Sequence, residues 1–114
     1  MTPEKLQSIA FKWFETFNNK ELEKLYTTGK SKKLKLSNDI IEKFFARIQQ
    51  IEAAENIYDL WNDKGLNFEK LKGTENSYSM RLKLKYRLEM EIDWINSELT
   101  IGDFLITDIS NHYS

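Results

Sequence analysis

From Tyr78 the chain alternates apolar and polar residues for seventeen positions. Tyr78, Met80, Leu82, Leu84, Tyr86, Leu88, Met90, Ile92 and Trp94 stand against Ser79, Arg81, Lys83, Lys85, Arg87, Glu89, Glu91 and Asp93. A period of two predicts antiparallel strand with one face on a core and one on water. Strands in small domains rarely exceed about ten residues, so this run has to fold back on itself. No Asn-Gly or Asp-Gly marks the turn, and its place stays open. A turn centred on Leu84, with a loop over 83–85, would set Arg81 opposite Arg87 on the polar face. Asn96-Ser97 and Gly102 then mark a connection over 95–103, and Phe104 to Ile109 reads as a last strand, mostly apolar and buried on both faces.

The period differs upstream. Ile40, Ile41, Phe44, Phe45, Ile48 and Ile51 recur at helical spacing and predict a helix over 38–54 with a wide apolar stripe. Ser37 suits its N-cap, Asp39 suits its first turn, and Glu42, Lys43, Arg47 and Gln50 fill the other face. A short helical piece over 57–62 follows. Residues 20–26 form a short helix at best, with Leu22, Leu25 and Tyr26 on one side. Residues 27–36 read as a basic loop with Gly29, Lys30, Lys32, Lys33 and Lys35. Residues 8–17 are rich in aromatics and end at Asn18-Asn19; they read as a strand, with a helix as close competitor because Ile9, Trp13 and Phe17 also share helical spacing. The order predicts an α+β fold, a small antiparallel sheet with N-terminal helices packed on one face.

Composition narrows the chemistry. A chain of 114 residues fits a single domain over 1–114 and buries about two-thirds of its unfolded surface. Without cysteine there is no disulfide and no thiolate metal site, and one histidine cannot build a multi-imidazole zinc site, so no metal or cofactor is expected. No apolar run approaches a bilayer span and no signal peptide is readable, which suggests a soluble, cytoplasmic protein with no membrane partner. The net charge of −1 conceals an uneven layout. Residues 64–87 carry seven basic and two acidic side chains, a local +5, whereas 88–114 carry six acidic and none basic. The first of these segments offers a polyanion a local site, although the molecule as a whole does not draw one strongly.

Three groups have chemical potential. His112 has a side chain able to give and take a proton near neutrality, although a histidine this close to a C-terminus is more often an exposed tail residue. Arg81 and Arg87, if opposite each other, are two like charges that need compensation. A bound phosphate would provide it, and so would solvent or pairing with Glu69, Glu89 or Glu91. Lys70 and Lys72, in Phe68-Glu69-Lys70-Leu71-Lys72-Gly73, would share one side of a short strand, a common surface feature when taken alone. No phosphate-cradling glycine loop and no nucleophile elbow is present.

Taken in order, Phe68-Glu69-Lys70-Leu71-Lys72-Gly73, Tyr78-Ser79-Met80-Arg81-Leu82, Tyr86-Arg87-Leu88 and a closing strand ending in histidine resemble the HigB-type toxins of the RelE/ParE superfamily. The likeness is good over 66–113, looser over 37–63 and a matter of layout over 1–36. It implies the toxin of a type II toxin–antitoxin pair that enters the ribosomal A site and cuts messenger RNA, the ribose 2′-oxygen attacking the adjacent phosphate. By resemblance, Lys72 stabilises charge or shuttles a proton, Arg81 and Arg87 hold the scissile phosphate, and His112 is the acid or base. Lys70, Lys83, Lys85 and Tyr113 would contact the substrate. The implied partners are a helix-turn-helix antitoxin encoded beside the gene, the ribosome and its mRNA; operator DNA would be met only through the antitoxin. The superfamily also holds ParE-type inhibitors of DNA gyrase that need no catalytic histidine. A non-toxic relative that only binds an antitoxin is a further alternative.

Overall fold

The computed structural model describes residues 17–83 and 85–111. Among these, the chain forms three helices, α1 (Lys20–Thr28), α2 (Asn38–Ala53) and α3 (Tyr58–Trp61), and a 3-10 turn (Lys64–Leu66). Four strands follow, β1 (Glu69–Lys70), β2 (Ser77–Lys83), β3 (Tyr86–Trp94) and β4 (Gly102–Ser110). They pair as one antiparallel sheet in the order β1-β2-β3-β4, so the fold is the α+β arrangement that the periodicities predict.

Each helix end has a local cause. The Asn19 side chain accepts from the N–H groups of Glu21 and Leu22, which caps α1, and its amide donates to the Thr107 carbonyl at 3.2 Å, which ties the helix to β4. Gly29, at φ 79°, ends α1 in the left-handed region and returns its N–H to the Leu25 carbonyl. Ser37 caps α2 through Ile40 N–H, and Asp39 stands in the first turn. Ile40, Phe44, Ile48 and Ile51 of α2 are buried, while Ile41 and Phe45 lie half-buried at the margin. The stripe is wide because α1 covers its flank. Phe45 stacks on Tyr26 at 5.8 Å, and Tyr26 lies 5.2 Å from Phe17. Burial raises the pKa of Tyr26, and the neighbouring Glu52 carboxylate that accepts from it raises it further.

The core lies between these helices and one face of the sheet, which contributes Met80, Leu82, Leu88, Met90, Ile92, Phe104 and Ile106. A buried aliphatic side chain of this kind contributes roughly 1.5–3 kcal/mol. Phe44 fills the middle of the layer with no exposed surface.

Three sequence expectations change. β4 is not buried on both faces: Phe104 and Ile106 are buried, Leu105 and Ile109 half-buried, and Asp103 and Asp108 exposed. Among the described residues it pairs with β3 along one side and meets Phe17 through a single bridge on the other, with helices over one face. The turn after β2 is tighter than a loop over 83–85, because Lys83 still pairs with Tyr86 after a register shift between Arg81 and Lys83. The strand around Lys70 is only two residues long. Asn67, at φ 47°, delays its start, and Gly73, at φ 79°, turns the chain just beyond it. The strand expected over 8–17 lies outside the described residues apart from Phe17, which forms an isolated parallel bridge with Ile106.

Candidate active site on the outward face of the sheet

The face turned away from the helices is set by register. Arg81 pairs with Arg87, and Arg87 with Ser110, so these three share one row across β2, β3 and β4. In the next row Glu69 pairs with Ser79, Ser79 with Glu89, and Glu89 with Asp108. Directly opposed residues project to the same side. The two arginines therefore meet as the alternation predicts.

They are held very differently. Arg87 is 6% exposed. Its Nε donates to Ser79 Oγ at 2.8 Å, and its Nη2 donates to the Asn67 carbonyl at 2.6 Å and pairs with Glu69 Oε2 at 3.1 Å. A buried guanidinium needs such partners, because burying an unpaired charge costs several kcal/mol. Arg81 is exposed, and among the described residues its side chain makes no ion pair or hydrogen bond. Its carbonyl accepts from Arg47 Nε at 2.6 Å. β1 ends before this point, so the edge of β2 is open at Arg81, and α2 supplies the donor that a longer β1 would have given. Arg47 also donates to Gln50, which bonds Asp63. Burial draws the Arg47 pKa below its usual range, against the pull of Asp63.

Ser110 closes the arginine row. It is 5% exposed, and its hydroxyl has no hydrogen-bond partner among the described residues. Asp108, two residues away, accepts at Oδ1 from Ile109 N–H.

The lysines are spread around this row. Lys72 is exposed in the turn after β1, past the strand that was to carry it. Lys70 pairs with Tyr78 and so belongs to the helix-covered side of the sheet, the opposite side from Arg81 and Arg87. The expectation that Lys70 and Lys72 share one strand face therefore does not hold. Lys83 ends β2 and bonds Asp39 Oδ2 at 2.6 Å, joining the hairpin to the start of α2. Lys85 is exposed in the turn. His112 and Tyr113 lie outside the described residues, two and three positions after the end of β4. β4 ends at Ser110, in register with Arg87.

A family model, the RelE-like toxin of the type II toxin–antitoxin system HigB, matches residues 15–104. The chain belongs to this family of HigB toxins. A search of curated proteins finds no match. Membership makes it a type II toxin of the RelE-like kind and implies an antitoxin as its partner. No helix among the described residues is long and apolar enough to cross a membrane, and none of their acidic side chains cluster in threes to hold a metal.

Sequence reasoning named Arg87 and weighed Glu69 as its partner, but missed Ser79, Asn67 and Arg47. Ser79 is readable in hindsight, since strand parity places it on the same side as both arginines. Asn67 acts through its backbone carbonyl, and Arg47 reaches Arg81 across 34 positions of sequence, so neither carried a local signal.

Proposed function

We infer that the protein is a ribosome-dependent mRNA endonuclease, with Arg81 and Arg87 as the cradle of the scissile phosphate. The observation that carries this reading is the direct opposition of two arginines on the outward face, one locked and one exposed. Arg87 is preorganised by Ser79, Asn67 and Glu69, and so presents charge at fixed geometry. Arg81, exposed beside it, offers its fork to an incoming oxyanion.

The chemistry asked of the site is transesterification. A base takes the proton from the ribose 2′-hydroxyl, and its oxygen attacks phosphorus. A new O–P bond forms as the P–O5′ bond breaks. The proton from an acid goes to the 5′-oxygen, leaving a cyclic phosphate and a free 5′-hydroxyl. His112 serves as acid or base, Lys72 as charge stabiliser or proton shuttle, and Lys85 as a contact to the flanking backbone. Both arginines neutralise the extra charge of the pentacoordinate state. Lys83 and Tyr113 complete the substrate contacts. The ribosome supplies the mRNA, the toxin acts in the cytoplasm, and a helix-turn-helix antitoxin both neutralises it and carries it to operator DNA. Residues 1–114 act as one domain.

The test is induced expression of the full chain. Growth arrest with cleavage of ribosome-bound transcripts is expected, relieved by combining His112→Ala with Arg81→Ala. Arrest unchanged in the double variant would remove the assigned site. A second reading, a non-nuclease inhibitor of the gyrase-poisoning kind, draws support from the salt bridge of Arg87 to Glu69, which spends that arginine on the fold. Under that reading mRNA stays intact while DNA breaks accumulate.

A further inference from the structure

At the far end of the sheet the surface changes character. Tyr58, Trp61, Ile95 and Leu99 are 56%, 43%, 59% and 52% exposed, the large apolar side chains left in water among the described residues. Tyr58 and Trp61 stand three apart on α3 and so share a side. The Ile57 N–H donates to the Thr100 carbonyl at 2.8 Å, which brings the start of α3 onto the β3–β4 loop. Leu99 lies in that loop, and Ile95 N–H closes it on the Ile101 carbonyl. Tyr58 and Trp61 thus flank the base of the loop that carries Ile95 and Leu99.

This corner is built. Asn96 Oδ1 accepts from Thr100 N–H and Ile101 N–H, and its amide donates to Thr100 Oγ1 at 2.6 Å. Leu99 holds φ 58°, a left-handed conformation that a leucine adopts at a cost. Glycine would hold the same conformation without that cost. The rim is acidic. Asp93 and Asp103 oppose each other across β3 and β4, and Glu98, Glu55 and Asp59 surround the loop and α3, all exposed.

We propose that this corner is the seat of the antitoxin, and that it takes a segment with apolar side chains flanked by lysine or arginine. Family membership supplies the partner, and charge selects its chemistry. A polyanion such as ribosomal RNA is repelled by five carboxylates. A second copy is disfavoured as well. A two-fold interface sets the patch against itself and would bring Asp93, Asp103 and Glu98 against their own counterparts. A basic amphipathic segment satisfies both the apolar centre and the acidic rim, and the preordered loop reduces the entropy lost on docking. The proposal is independent of the nuclease reading, since it concerns a different end of the molecule.

The test uses the full chain co-expressed with the protein of the adjacent reading frame, the antitoxin expected of a type II pair. Two variants are compared with the wild type by titration of the purified partners. One is Leu99→Gly with Ile95→Ser, which removes the apolar centre; the other is Glu98→Lys with Asp103→Lys, which reverses the rim. Each should weaken antitoxin binding by about tenfold or more, the second with a reduced salt dependence. Thermal unfolding checks that both variants are folded, and growth arrest without antitoxin should persist in both. Wild-type affinity in both variants would overturn the proposal. So would loss of arrest with antitoxin binding intact, which assigns the corner to the toxin's target. A wild-type chain that sediments as a dimer, with monomeric variants and unchanged antitoxin binding, would assign it to self-association.

Discussion

A like-charged pair stands at each end of the outward side of the sheet. Arg81 opposes Arg87, and Asp93 opposes Asp103. Asp93 lies six positions beyond Arg87 on β3, about 20 Å along an extended strand. Either pair is unfavourable by itself. The difference lies in what surrounds them. Arg87 is buried and bonded by Ser79, Asn67 and Glu69, so the fold holds charge at the arginine end in a fixed place. Asp93 and Asp103 are exposed, and among the described residues neither makes an ion pair or a side-chain hydrogen bond. Charge that a fold buttresses is suited to meet a transition state of fixed shape. Charge that it leaves in water serves recognition over a surface, where geometry is looser and salt has more to say.

The largest effect should separate the two arginines. Arg81→Ala should lower mRNA cleavage by about 10²–10³-fold, the usual cost of one preorganised charge at a developing oxyanion. Its stability should change by less than about 0.5 kcal/mol, since the side chain is exposed. Arg87→Ala should lower cleavage at least as much and also destabilise the fold by about 1–3 kcal/mol, leaving Ser79 and the Asn67 carbonyl without their donor. Cleavage on purified ribosomes and urea unfolding read the two quantities. An Arg87→Ala protein as stable as wild type would show that its bonds are incidental.

At the other end, Gly102 pairs with Trp94 as β4 begins. A Cβ there would lie 2.7 Å from Ile92 Cγ2 and 2.8 Å from the Asp93 carbonyl. Backbone is in the way, so Gly102→Ala should cost about 1–3 kcal/mol in unfolding free energy. Leu99→Gly has the opposite sign. Releasing a left-handed leucine should stabilise the chain by up to about 1 kcal/mol, raising the melting temperature by several degrees. A melting temperature that falls instead would mean that the Leu99 side chain packs for stability and has no need of a partner.

Much of this division could be read beforehand. Strict alternation from Tyr78 to Trp94 sets register parity, and parity alone places the arginines together. The stripe of α2 is equally plain, because Ile40, Phe44, Ile48 and Ile51 repeat on one side of a helix. The segment 66–73 was misread because its conformation is decided by two residues at positive φ, Asn67 and Gly73, which cut the strand to two residues. β4 misled for another reason. Its apolar residues say that one face is buried, but whether a second layer covers the other is a tertiary fact. The acidic corner had a compositional trace in the excess of carboxylates after Arg87. Its apolar centre had none, since exposed Ile95 and Leu99 look like any other aliphatic residues in a sequence.

Asp103→Asn should relieve the aspartate pair and stabilise the fold by a few tenths of a kcal/mol at low ionic strength, an effect that fades near 1 M salt. Thermal unfolding at the two ionic strengths measures it. The same substitution at a site already compensated would do nothing, so a null result implies a hidden partner for Asp93 or Asp103.

The smallest effect concerns Lys83 and asks whether it belongs to the arginine end at all. Its ammonium bonds Asp39 at 2.6 Å, and this bond and charge hold the Asp39 carboxyl below its usual range. A carboxylate whose folded pKa is depressed adds stability above its unfolded value, near 3.9, and loses it as pH falls through the folded value. Lys83→Met should therefore melt slightly below the wild type near neutral pH, and the two should converge in acid below about pH 4. Both partners are exposed, so the difference near neutrality should also shrink in salt. Asp39→Asn frees Lys83 without removing it. If Lys83 contacts the substrate backbone, this variant should bind mRNA on the ribosome slightly more tightly than wild type, because a tethered cation becomes available. If cleavage and binding stay unchanged, Lys83 is an anchor between the hairpin and α2, and the cationic end reduces to Arg81, Arg87, Lys72 and Lys85.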